Sequence, residues 1–82
     1  MDNTKQKYIK MSRYNEIIIF NAIFDHSDFR NFNPISAGFC YVSGDKVTCF
    51  GESTSLGMES KKDDSYFATK QLFGYDCAEK IK

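Results

Sequence analysis

Four consecutive residues, Asp25-His26-Ser27-Asp28, are the most reactive run of side chains in the 82-residue sequence, and His26 is its single histidine. An imidazole titrates near neutral pH, so His26 could pass a proton where a carboxylate alone would not. Asp25 and Asp28 could orient that ring or share a divalent metal with it. Glu52 would join them if the strands preceding the two segments ran in the same direction, because both segments would then emerge at one rim of a sheet. Acid–base or metal-dependent catalysis by His26, Asp25, Asp28 and Glu52 is therefore one expectation. The preferred one is simpler, since Asp and Ser at a turn accept local backbone N–H bonds. No paired-cysteine or helical His-Glu-x-x-His spacing marks a metal centre, and no cofactor is expected.

Three further motifs invite chemistry. Gly51-Glu52-Ser53-Thr54-Ser55 fails as a nucleophile elbow, because Ser55 stands where the closing glycine is needed. As a phosphate loop it lacks a following Lys-Ser/Thr pair, and Glu52 repels anions. Gly38-Phe39-Cys40-Tyr41-Val42 partly imitates the aromatic strand on which RNA-recognition sheets stack bases. Ala37 takes the place of the basic residue before the glycine, and Gly44 takes that of the terminal aromatic. Phe39, Tyr41 and Phe50 could still stack bases, but single-stranded nucleic-acid binding is the weaker alternative. Cys40 and Cys49 would face each other across a hairpin, more as buried apolar groups than as a redox pair.

These side chains depend on a small number of elements. Asn15 to Phe24 is rich in β-branched and aromatic residues and apolar on both alternating faces, which predicts a strand. Asp25 or Ser27 can cap a short helical turn that Asn33-Pro34 ends. Residues 37–42 and 47–51 predict a hairpin around Gly44-Asp45, with Val42 opposite Val47, Tyr41 opposite Thr48, Cys40 opposite Cys49 and Phe39 opposite Phe50. Residues 51–60 read as a loop. A helix is predicted over residues 62–73, with Ala68, Thr69, Leu72, Phe73 and Tyr66 inward and Gly74 at its end. Asp63 and Asp64 fall on its polar side with Phe67 among them, so Phe67 joins Phe39, Tyr41 and Phe50 as a candidate interaction surface.

The fold class expected is α+β, a three-stranded antiparallel sheet with one C-terminal helix on one face. Residues 1–13 read as a flexible basic arm, 14–75 as the domain and 76–82 as a fraying tail. The arm sums to +3 and the remainder to −3, for a net charge of zero. A mildly acidic body is a poor match for a phosphate backbone, so nucleic acid is disfavoured as a partner. The longest apolar run falls well short of the roughly 20 residues a membrane span needs. The polar N-terminus lacks a secretory leader's apolar core, and three cysteines give no disulfide framework, so a cytoplasmic location is expected. One helix cannot cover two apolar sheet faces. The sequence therefore suggests a non-catalytic interaction module, an inhibitor or accessory protein, that self-associates as a dimer or binds another protein.

Overall fold

The computed structural model describes residues 5–81. In chain order the elements are β1 (Gln6–Met11), β2 (Ile17–Phe20), a 3-10 helix (His26–Phe32), β3 (Pro34–Ser43), β4 (Lys46–Phe50), β5 (Glu52–Ser53), β6 (Met58–Glu59), α1 (Asp64–Phe73) and α2 (Tyr75–Glu79). β1 to β4 form an antiparallel sheet in the order β2-β1-β3-β4, and β5 pairs with β6 in a separate hairpin. The mixed α+β class and the C-terminal helix on the sheet agree with the sequence reading, but the main sheet has four strands rather than three.

The extra strand is β1, within the segment expected to be a flexible arm. It pairs with β2 on one side and β3 on the other. Tyr8 and Ile9 are fully buried, and Lys10 is 2% exposed. The strand alternation is present, with Tyr8 and Lys10 on one face and Ile9 and Met11 on the other. An inward lysine disguises it, because lysine reads as solvated surface until its partner is known. Residues 1–4 of the expected arm and Lys82 of the expected tail lie outside the described residues.

The strand expected over residues 15–24 contracts to Ile17–Phe20. Asn21 stops it: its carbonyl accepts the Phe24 N–H at 3.0 Å and its side chain accepts the Ile23 N–H at 2.9 Å. An asparagine that supplies both turn bonds overrides the β preference of the apolar residues after it. The 3-10 helix stands where a helical turn was expected and ends at Asn33, in the left-handed region at φ 54°. The hairpin register is the expected one at all four pairs. Gly44, at φ 64°, occupies the position of its turn that only glycine takes at little cost. Gly38 meets a different demand, since a Cβ there would lie 2.5 Å from the Phe50 carbonyl oxygen.

The inner sheet face and part of the outer one are covered from within the chain. On the inner face Tyr8, Ile17, Cys40 and Val47 pack with Ala68 of α1, and Ile19, Val42, Cys49 and Phe67 surround them. On the outer face Ile9, Phe20 and Ala37 pack under Phe29 of the 3-10 helix and Leu56 and Met58 of the β5–β6 hairpin. The expected loop over residues 51–60 is thus a folded cover. α1 ends at Gly74 as expected, but its inward residues are Asp64, Ala68 and Thr69. Leu72 and Phe73, expected inward, are exposed. α2 replaces most of the expected fraying tail, with Ala78 buried.

Candidate functional site

The rim site expected from the sequence does not assemble. With β1 between β2 and β3, β2 and β4 run antiparallel, so the segments after them leave in opposite directions. His26 is 4% exposed, and its Nε2 donates to the Gly38 carbonyl oxygen at 2.7 Å. Its ring stands edge-on to Phe20 and Phe39, each at a centroid distance of 5.6 Å. The imidazole therefore pins the 3-10 helix to β3. The Asp28 carboxylate accepts the Asp25 N–H at 3.1 Å, and Asp25 faces Lys7 at 3.9 Å. Glu52 sits exposed in β5, opposite Glu59. Among the described residues, no three His, Cys, Asp or Glu side chains are placed to hold one metal ion.

A polar cluster does form, under α1 and away from solvent. Asp64 is fully buried at the first turn of α1, and Lys10 Nζ lies 2.7 Å from its Oδ1. Its Oδ2 accepts from the Tyr8 hydroxyl and, at 3.0 Å, from the Lys61 N–H. The Tyr8 hydroxyl also lies 2.7 Å from Ser60 Oγ, and Lys10 Nζ sits 4.9 Å from the centre of the Phe67 ring. Burial pushes the Asp64 pKa up, but Lys10, Tyr8, the Lys61 N–H and Ser36 together outweigh it and hold the carboxyl below its ordinary value. The buried Ser36 hydroxyl makes no well-directed hydrogen bond of its own. Burial, then the Asp64 contact, pushes the Tyr8 phenol well above its ordinary range. With Tyr8, Lys10 and Asp64 buried, the cluster joins β1 to α1. Only β1's alternation, once the arm is read as a strand, could have revealed it in the sequence.

The cysteines are all free. Cys40 and Cys49 oppose each other across the hairpin, as expected. Burial pushes their thiols up to about 11 and about 12, so little nucleophilic thiolate is present at neutral pH. Cys77 lies 3.6 Å from Asp45, which ties α2 to the hairpin turn.

Of the expected interaction residues, Phe39, Tyr41 and Phe50 come together and Phe67 does not. Phe67 belongs to the inner-face packing, above Lys10. The other three lie on the outer face, where Phe50 is 6.1 Å from Phe39 and 5.9 Å from Tyr41 between ring centroids. The 3-10 helix and the β5–β6 hairpin cover the other half of this face, around Ile9 and Ala37. Lysines border the open half. Lys5 Nζ lies 4.5 Å from the centre of the Phe39 ring, and Lys7 is the register partner of Phe39. Strand alternation puts Lys46 on the same face as Thr48 and Phe50. Lys7 is engaged by the Phe24 carbonyl and Asp25, but among the described residues no carboxylate pairs with Lys5 or Lys46. These lysines are missed from sequence because they join the aromatics only once β1 pairs with β3. No protein-family model, curated protein or solved structure matches the chain.

Proposed function

We propose that this protein is a non-catalytic interaction module whose contact surface is the open half of its outer sheet face. The clustering of Phe39, Tyr41 and Phe50 there carries the reading. Phe50 is 38% exposed, and it differs from the other exposed large apolar residues of the chain in lying against two further rings on the sheet face. The buried groups capable of acid–base work, His26 and Asp64, are held in structural bonds, His26 by Gly38 and Asp64 by Lys10 and Tyr8. Those bonds favour binding over catalysis by His26, Asp25, Asp28 and Glu52. Free cysteines suit a reducing, cytoplasmic setting for an inhibitor or accessory protein of this kind.

A second copy is the partner the sequence suggests. Since the chain covers its inner face and half of its outer face from within, a dimer has the open aromatic patch to use rather than a missing half-core. A two-fold axis through that patch pools the rings but sets Lys5 and Lys46 near their counterparts. Such pairing is weak at low salt and strengthened by screening. Light scattering at high protein concentration is expected to find monomer at low salt. At roughly 0.5 M salt, where the Debye length is below about 8 Å, the mean mass should rise, and Phe50→Ser should abolish the rise. A mass that responds to neither salt nor residue 50 would remove the open face as a self-association surface.

A further inference from the structure

We infer that the open half of the outer face is a stacking platform for short single-stranded nucleic acid. The inference rests on the proposal that this face is the contact surface, and goes beyond it by naming the chemistry of the occupant. Tyr41 and Phe50 offer neighbouring rings on adjacent strands at 5.9 Å on which bases can stack. Phe39, 6.1 Å from Phe50, backs them with its own ring already engaged by Lys5 and the edge of His26. Lys5 and Lys46 border them and, among the described residues, have no carboxylate partner. Rings bordered by ammonium groups complement a ligand that alternates aromatic bases with phosphates. They complement an identical cationic face poorly. The chain's zero net charge does not bear on this, because the +3 of residues 1–13 is delivered partly to this face by β1, through Lys5 and Lys7. Asp25 draws off Lys7 alone. The platform is small, so affinity should be modest and the sequence preference slight.

Fluorescence anisotropy with 5′-labelled hexathymidylate tests this on the full-length protein. Two phosphate contacts on a single strand give a log–log salt slope of about −1.4, a loss of about sevenfold from roughly 50 to 200 mM salt. Tyr41→Ser should weaken binding by about 5- to 150-fold, the range for one stacked base, whereas Tyr41→Phe should preserve it. Lys5→Glu with Lys46→Glu, both at exposed positions, should flatten the salt slope and leave the thermal midpoint nearly unchanged. Binding that survives Tyr41→Ser and Phe50→Ser in folded protein would overturn the inference and reveal non-specific adhesion to lysine. Absence of binding at low salt would overturn it too. In that event, salt-promoted self-association lost on Phe50→Ser would keep the contact-surface reading intact, because the two occupants respond to salt with opposite sign.

Discussion

Lys10 and Asp64 show how one residue pair fixes a chain segment to its place. Their side chains are 3% and 0% exposed, and neither charge could be buried without the other. Removing one partner strands an ion, so Asp64→Asn is expected to cost about 3–5 kcal/mol at neutral pH, measured by urea denaturation. Lys10→Met combined with Asp64→Leu should recover only part of that loss, since the apolar pair has no charge to desolvate but leaves the Tyr8 hydroxyl and the Lys61 N–H without their acceptor. The pH dependence has a definite sign. The folded Asp64 carboxyl lies below its ordinary 3.8, so its contribution is full above that value and declines as pH falls towards the folded one. The stability gap between wild type and Asp64→Asn should therefore narrow on acidification. A gap that widens in acid would show that the carboxyl is not held ionised. Neither residue is conspicuous in the sequence: a lysine between Ile9 and Met11 resembles surface, and an aspartate at a helix start resembles a dipole acid. Proximity between residues 54 positions apart is what distinguishes them.

At the scale of elements, α1 holds the sheet as much by its hydroxyls and amide as by its apolar face. Both exposed sheet edges would otherwise present unpaired backbone groups. On β4 the Val47 N–H donates to Thr69 Oγ1 at 2.9 Å, the Thr69 hydroxyl donates to the Val47 carbonyl at 3.3 Å, and the Cys49 N–H donates to Ser65 Oγ at 2.8 Å. On β2 the Gln71 amide closes both groups of Ile17, at 2.8 and 2.6 Å. Thr69→Val keeps the shape and removes the bonds. It should cost about 1–3 kcal/mol and accelerate hydrogen exchange at the Val47 amide. Unchanged exchange there would show that water already satisfies the edge. This docking explains which elements could be read from sequence. The β3–β4 hairpin follows from local turn chemistry and alternation, and its register emerges correctly. The inward side of α1 is only partly legible: Ala68 and Thr69 lie inward as the helical pattern predicts, but Asp64 takes an inward place because its contacts are polar, and Leu72 and Phe73 stay exposed. The interaction face was half legible: its rings are in the hairpin, but its lysines arrive on a strand that local pattern does not reveal.

At the scale of the whole molecule, the two ends of the chain are the most interdependent parts. β1 occupies the middle of the sheet, and its side chains bond to Ser60, Asp63 and Asp64, more than fifty residues later. Ile17 depends likewise on Gln71. No contiguous half of the chain therefore contains a closed core, and folding must wait for contacts of large sequence separation, which slows it relative to a helical protein of equal length. A version lacking residues 1–10 is the decisive case. If those residues were an arm, the remaining 72 would melt cooperatively near the wild-type midpoint. With β1 central, their removal separates β2 from β3, uncovers the inner and outer clusters at Tyr8 and Ile9, and leaves Asp64 buried without its cation. Those losses exceed the roughly 5–15 kcal/mol that holds a domain together. Circular dichroism of the truncated chain should show no cooperative thermal transition. Adding a synthetic peptide of residues 1–12 should restore one, because the peptide supplies the missing strand to both neighbours at once. A cooperative melt without the peptide would mean that β2 and β3 find another pairing, and the order β2-β1-β3-β4 would not be the one that stabilises the protein.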